Sequence, residues 1–261
     1  MKRRYICTDT ITGILSAVYD AWKQDRRDSE GEIVFWGSVQ QEMFCRYYEV
    51  REDEKKVHAV QKLIWKYMGE DAYLAIGQAL LSDDEEKGTA ILRTMIEARK
   101  LSNAGTIMGH LKHPAVRKVF ELSRNVSRET HAWKEFLRFR ELKRGILFAK
   151  ITPRNAILPG IAGHFSDRFP MEDFIIYDET HSSFLIHPKR RQWLIITDEE
   201  KKWQIPEEYS DKEGGWQRLW KVFKESVTIQ ERENRKLQQT NMPLRYRNDM
   251  TEFSLEKEIN G

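Results

Sequence analysis

The sequence predicts an α+β protein in which a mainly helical N-terminal region precedes an antiparallel β-meander flanked by helices. Three observations lead to this fold class. Apolar residues recur every three or four positions over residues 54–102, the apolar period changes to two after Trp133, and helical spacing returns near the C-terminus. Runs of helices beside runs of strands are typical of α+β folds rather than of an alternating parallel sheet.

The N-terminal region begins with short strands and one helix. Residues 4–8 and 33–36 are apolar runs of strand length, and between them a helix is expected whose apolar face carries Ile14, Val18 and Trp22. The following helical stretch contains the acidic residues 83–86, which suit a helix N-terminus because the helix dipole favours negative charge there. This region therefore reads as predominantly helical.

A strongly amphipathic helix is predicted from Pro114 onward, with proline at the tolerated first position. At 100° per residue, the apolar residues Val119, Leu122, Val126 and Trp133 fall on one side. The opposite side is mainly cationic and carries Arg117, Glu121, Arg124, Arg128 and His131. The helix is thus expected to bury one face and present basic residues on the other.

Beyond this helix the sequence predicts strands joined by turns. The first two, residues 136–142 and 146–151, flank Lys143-Arg144-Gly145 and form a predicted hairpin. Three further strands are expected at 174–177, 183–187 and 192–196, after a short helix at 155–167. A last helix at 215–227 carries Trp216 and Trp220, which are expected in the core. We divide the chain into 1–112 (mainly helical), 113–250 (basic helix, meander and C-terminal helices) and 251–261 (a flexible tail).

Composition excludes several classes of protein. The chain has 261 residues and two cysteines, Cys7 and Cys45, too few for a disulfide framework or an iron–sulfur cluster. His110 and His113, three residues apart, could bind a metal together with His131, but no cysteine or acidic residue has ligand spacing beside the first two, so no metal and no cofactor is expected. The sequence lacks both a 20-residue apolar stretch and the uninterrupted apolar segment of a secretory signal, which predicts a cytoplasmic protein.

Charge is distributed unevenly along the chain. The net charge is +3, yet residues 101–154 carry 12 basic and 4 acidic side chains, a local charge of +8. Residues 1–100 carry 16 basic and 18 acidic side chains, a local charge of −2. Clustered lysine and arginine attract polyanions whatever the net charge of the whole chain.

Four segments carry distinctive motifs: "VSRETH" with Glu129 and His131, "HFSDRF" (164–169), "IIYDE" (175–179) and "IQERENRKLQQTNMPLRY" (229–246). In these segments the chain resembles a bacterial family of DNA-metabolism and DNA-repair proteins whose reaction is unknown. The early "TDTITGILSAVYDAW" (8–22) also resembles this family. The resemblance implies a gene neighbour that encodes a radical-SAM protein of DNA repair or modification, and relatives fused to uracil-DNA-glycosylase-like domains.

Four polar residues in or beside these segments form a candidate site: His131, His164, Arg168 and Asp178. They offer acid–base and charge-pairing groups that the fold could bring together. Two interpretations stay open, a polar pocket or a buried hydrogen-bonded network that fixes the fold. A hydrolase that uses His131 or His164 with Asp167 or Asp178 is a further hypothesis, although no recognised catalytic spacing supports it.

The function predicted from these observations is nucleic-acid binding, most simply DNA, in repair or modification beside the radical-SAM partner. The residues expected to contact nucleic acid are cationic, with one aromatic residue for base stacking: Arg117, Arg124, Arg128, Arg138, Arg140, Arg235, Arg245 and Tyr246. The alternative is a non-catalytic adaptor whose charged surface docks the radical-SAM protein. A solvated, salt-bridged surface would account for the same charges without any partner.

Overall fold

The computed structural model describes residues 2–24, 31–39, 42–198, 209–227, 236, 240–247 and 250. The chain divides into two compact units, Met1–Arg128 and Glu129–Gly261. The border lies inside a long helix, whereas the sequence-based division at 112/113 stands just before it. The predicted tail 251–261 and Arg235 lie outside the described residues.

The first unit contains a three-stranded parallel sheet with the order β2-β1-β3. The strands are β1 (Lys2–Cys7), β2 (Gly31–Phe35) and β3 (Cys45–Glu49). Helix α1 (Ile11–Gln24) lies between β1 and β2 in the chain, as the sequence predicts. Strand β3 was not predicted, because no residue of CRYYE is fully buried and the segment lacks the apolar alternation of a half-buried strand.

Helices complete the first unit, and their bounds follow in chain order: α2 (Glu54–Leu63), a π-helical segment (Ile64–Met68), α3 (Gly69–Leu80), α4 (Lys87–Ala98), a 3-10 turn (Ala104–Gly109) and α5 (Pro114–Phe136). Asp53 caps α2 by accepting a hydrogen bond from Lys55 N at 2.8 Å. The acidic residues 83–86 immediately precede α4, in agreement with the sequence analysis.

The core of the first unit is formed where α1 and α4 cover the sheet. Ile14 of α1, Ile91 of α4 and Tyr5 of β1 are completely buried. Lys87 is also buried, and its ammonium group contacts the carbonyl oxygen of Ser82 and a carboxylate oxygen of Asp9, both at 2.6 Å. These contacts satisfy a charge that would otherwise be costly to bury.

The second unit contains a five-stranded sheet with the order β4-β5-β6-β7-β8. The strands are β4 (Arg140–Glu141), β5 (Leu147–Ile151), β6 (Phe174–Asp178), β7 (Ser183–His187) and β8 (Leu194–Thr197). The predicted hairpin is present between β4 and β5, with Gly145 at φ 74° in its turn. Helix α6 (Leu158–Arg168) crosses from β5 to β6, so these two strands pair in parallel. The sheet is therefore mixed, and the prediction of a wholly antiparallel meander was wrong on this point.

Two aromatic clusters show where the sequence located the core of the second unit correctly and where it did not. Trp133 is buried and packs edge-on against Tyr246, with the ring centroids 5.0 Å apart. Trp216 and Trp220, on α7 (Glu213–Val227), are 58% and 43% exposed, so the prediction that they are core residues was wrong.

No helix within the described part of the chain is both long and apolar enough to cross a bilayer.

Candidate nucleic-acid interface and neighbouring polar groups

The outer face of α5 carries a row of three exposed arginines. Arg117, Arg124 and Arg128 are spaced by seven and four residues, which places them on one side of the helix over about 16 Å. The opposite side is apolar: Val119 and Val126 are buried almost completely. The amphipathic pattern predicted from the sequence is confirmed, because burying the valines leaves the arginines in solvent.

The α5 arginine row (Arg117, Arg124 and Arg128) is not engaged by acids. Among the described residues, no carboxylate comes within 4.0 Å of these three guanidinium groups. The neighbouring cation Lys118 behaves differently, since its ammonium group lies 2.9 Å from Asp84 Oδ2 and 2.8 Å from Glu86 Oε2. The row therefore keeps its donors available for an external anion, and Lys118 does not.

The basic residues predicted from the second unit are largely occupied. Arg138 donates to the carbonyl oxygens of Glu135 at 2.9 Å and Leu137 at 3.2 Å, at the C-terminal end of α5. Arg140 lies 5.5 Å from the centre of the Tyr209 ring and donates to its hydroxyl at 3.4 Å. Arg138 and Arg140 thus already make contacts within the protein in the absence of a ligand.

Tyr246 does not provide the stacking surface that the sequence predicted. The residue is 2% exposed, and its ring packs against Trp133 and Phe136. Arg245 stacks over the same ring at 4.7 Å and donates to the Tyr246 hydroxyl at 2.6 Å. This correction has a simple cause: an aromatic residue between basic ones resembles a base-stacking pattern in sequence, and burial removed the ring from solvent.

The four residues of the candidate polar cluster lie in three settings within the second unit. His131 is exposed and its Nε2 lies 3.2 Å from Glu135 Oε1 on the same helix. His164 and Arg168 are exposed on α6, one turn apart. Asp178 is buried at the end of β6 and bonds to His181. The hydrogen bonds of Asp178 and the side-chain contact of His131 thus go to residues outside the predicted set.

The surroundings of His164 lower the pKa of its imidazole. Partial desolvation, followed by the positive charges of Lys134 and Arg168, holds the pKa of His164 below its ordinary value. This shift favours the neutral imidazole, which has one hydrogen-bond donor and one acceptor. Since His164 is exposed, this property describes a surface group rather than an enclosed catalytic base.

Asp178 and His181 form a carboxylate–imidazole pair that the sequence analysis missed. Asp178 Oδ2 accepts from His181 Nδ1 at 2.7 Å, and Oδ1 accepts from the His181 backbone N–H at 3.1 Å. A carboxylate in this position fixes the ring and its tautomer, as in acid–base dyads. The Ser183 hydroxyl donates to the His181 carbonyl oxygen at 3.0 Å, so it is not aligned as a nucleophile with the ring. The three-residue spacing at the end of a predicted strand was the available signal.

Glu129, in the segment "VSRETH", has a structural role in the second unit. It is 4% exposed, and its Oε1 accepts from Arg154 N at 2.9 Å. Its Oε2 accepts from Asn155 N at 2.9 Å and from Asn155 Nδ2 at 2.6 Å. Three donors on one buried carboxylate attach the loop after β5 to α5. For Glu129 the structure favours the buried-network interpretation over the pocket.

The two cysteines are free, Cys7 buried and Cys45 half-buried. Burial raises the pKa of Cys7 to about 12, so this thiol stays protonated and unreactive. Among the residues that the structure describes, no group of three or more histidine, cysteine, aspartate or glutamate side chains has a geometry that could hold a metal ion.

Comparison with models of protein families identifies a family to which the chain matches. Residues 85–252 match the model of a family described as a domain of unknown function, DUF4130. This match covers more than half of the chain and includes α4, α5 and the whole five-stranded sheet. The curated proteins contain no match to the chain.

Proposed function

The chain belongs to the DUF4130 family, and we propose that it binds nucleic acid through the outer face of α5 in DNA repair or modification. The observation that carries the proposal is the α5 arginine row, three exposed guanidinium groups on one helix face that no described carboxylate neutralises. Phosphate contacts by such groups supply most of the sequence-independent affinity for nucleic acid.

The setting in which this binding operates is part of the same proposal. The family resemblance of the segments at 126–253 suggests action beside a radical-SAM protein, which would supply the iron–sulfur cluster and the chemistry. In this division of labour the present chain holds the strand. The adaptor alternative assigns the same basic surface to the partner protein, and binding of purified protein to DNA without that partner distinguishes the two.

The test compares two triple variants of the full chain. Arg117→Glu, Arg124→Glu and Arg128→Glu reverse the row, whereas Lys55→Glu, Lys62→Glu and Lys66→Glu reverse three exposed lysines at the same spacing on α2 and the π-helical segment. Fluorescence anisotropy with single-stranded and duplex DNA and with RNA, over a salt series, gives the affinity and its salt slope. Both triple variants change the net charge by the same amount.

We expect the arginine variant to lose binding on every sequence. On duplex DNA its log–log salt slope should fall by up to about 2.7, since each neutralised phosphate contributes about 0.9. The lysine variant should retain most of the affinity and the parental slope. Equal losses in both variants would show that only net charge matters. Parental binding by a folded arginine variant would reject the α5 surface and favour the adaptor.

A further inference from the structure

A cleft in the first unit opens beside the N-terminal end of the α5 arginine row. It has a volume of about 790 Å³ and lies between the outer edge of β2, α4 and the first turn of α5. This volume is in the range of small-molecule sites. Its walls combine apolar side chains such as Ile33, Ala90 and Pro114 with charged groups from α4 and α5.

Two acid–base pairs in the cleft are too long to be hydrogen bonds. Arg93 Nη2 lies 3.6 Å from Glu32 Oε1, and His113 Nε2 lies 3.7 Å from Glu97 Oε2. The buried atoms Arg93 Nε and His113 Nδ1 have no hydrogen-bond partner among the described residues. Buried polar atoms of this kind are ordinarily satisfied. Both residues line the cleft, and their side chains are 39% and 33% exposed, so a ligand there is able to contact the accessible ends of the guanidinium and imidazole groups.

The other charges of the cleft are fixed. The hydrogen bond from Lys100, at 2.9 Å, is the main reason that the pKa of Glu97 lies below its ordinary value, so Glu97 remains an ionised acceptor. The bond to Glu86 is the main reason that the pKa of Lys118 is raised, so Lys118 remains a cation. The lining thus contains permanent acceptors and permanent donors together.

The balance of charge indicates which ligand suits the cleft. Three permanent cations (Arg93, Lys100 and Lys118) face four carboxylates (Glu32, Glu85, Glu86 and Glu97). A phosphate gains little from such a lining, because the acids offset the cations. A neutral ring system that carries both donor and acceptor atoms along its edge satisfies both kinds of group and packs against the apolar wall.

We propose that this cleft binds a nucleobase, with an acceptor atom of the base on Arg93 and a donor group on Glu97. The base comes either from a free nucleoside or from a strand held on the α5 arginine row. The second source rests on the proposed function. It is sterically direct, because His113, Pro114 and Lys118 line the cleft and Arg117 belongs to the same first turn of α5. Phosphates then lie outside on arginines, and one base lies inside.

The first experiment measures binding of adenosine, guanosine, cytidine and thymidine to the full chain by NMR titration. The variants are Arg93→Met, which removes the donors, and Glu97→Gln, which keeps the size of the side chain and removes its charge. Arg51→Met is the matched control, an exposed arginine in the same unit outside the cleft. We expect saturable binding of at least one nucleoside to the parent and the control, and affinity about tenfold lower in each cleft variant.

The second experiment separates the two sources of the base. A single-stranded oligonucleotide is compared with the same sugar–phosphate backbone lacking bases. If the base of a strand enters the cleft, the parent binds the base-containing strand more tightly than the strand without bases, and Arg93→Met removes this difference. The triple arginine variant then has a lower affinity for both strands, by the same factor. If nucleosides bind but the two strands bind equally, the free nucleoside is the ligand of the cleft.

The outcomes for the cleft and for the row are distinguishable. Failure of all four nucleosides to bind at millimolar concentration, or parental nucleoside affinity in both cleft variants, overturns the cleft proposal and leaves strand binding by α5 untouched. If the parent binds no strand, or if the folded triple arginine variant binds strands as the parent does, while nucleoside binding is retained, the proposed function is overturned and the cleft proposal stands.

Discussion

Two helices of the first unit carry three exposed cations at identical spacing. On α5 these are Arg117, Arg124 and Arg128, and on α2 and the π-helical segment after it they are Lys55, Lys62 and Lys66. Both sets are separated by seven and four residues, and both face solvent above a buried apolar face. Helical geometry alone therefore offers two equivalent rows for a polyanion.

The surroundings of the two rows differ. Residues 51–71 contain five basic and five acidic residues, so the lysine row lies in a neutral segment. Residues 110–128 contain five basic residues and one acidic residue, Glu121. The field at a surface is the sum over nearby charges, and by these counts the α5 row lies in the more positive of the two segments. The local charge around each row therefore depends on the number of nearby acidic residues as much as on the basic residues of the row.

The largest expected effect concerns the two faces of α5, on which the comparison depends. Arg128 and Glu129 are adjacent, yet Arg128 is exposed and Glu129 is buried with three donors. Glu129→Gln would direct an amide N–H₂ group at donors, so we expect a loss of about 2 kcal/mol in the free energy of unfolding. Arg128→Gln should change it by less than about 0.5 kcal/mol. Urea denaturation measures both, and equal losses would show that Arg128 also has a structural role.

An intermediate effect is expected from removing the acids around the lysine row. Glu54→Gln, Glu70→Gln and Asp71→Asn leave residues 51–71 with a charge of +3, close to that of the α5 segment. Introduced into the triple arginine variant, they should raise affinity for DNA at low salt by at least about threefold, because the local field becomes positive. Anisotropy below 50 mM salt measures the gain. No gain would mean that arginine chemistry, and not local charge, distinguishes the rows.

The smallest effect tests the influence of neighbouring charge on one histidine of the second unit. Burial and the charges of Lys134 and Arg168 keep the pKa of His164 low. Removing a nearby positive charge favours the imidazolium form, so Lys134→Ala should raise the pKa of His164 toward its ordinary value. Proton NMR titration of the ring in the parent and in the variant follows the change. An unchanged His164 titration would exclude the charge of Lys134 as a cause and leave burial and Arg168.

The sequence predicted the local features of α5 and of the β4–β5 hairpin well. The apolar and cationic sides of α5 followed from a helical period over more than five turns, and the hairpin at Gly145 followed from a change of period and a glycine. Such features depend on residues within a few positions of one another, where backbone geometry is regular. Glu129 was singled out by the family resemblance, which could not identify its partners, Arg154 and Asn155.

Features that depend on contacts between distant segments could not be predicted from the sequence. The cleft brings together Glu32, Arg93 and His113, which are far apart in the chain, and the Asp178–His181 pair depends on a specific turn after β6. Strand β3 was missed because it is partly exposed and is specified by its pairing with β1 more than by its own pattern.

The sequence by itself determined the fold class, the uneven charge, the amphipathic α5 and the lack of cysteines for a cluster. These properties follow from composition and from short-range periodicity. Only the tertiary structure decided which cations are available to a ligand. Lys118 is neutralised by Asp84 and Glu86 and Arg140 is engaged by Tyr209, whereas Arg124 faces solvent. The physical reason is that ion pairing requires contact within a few ångströms, and residues far apart in the chain reach that distance only when the fold is complete.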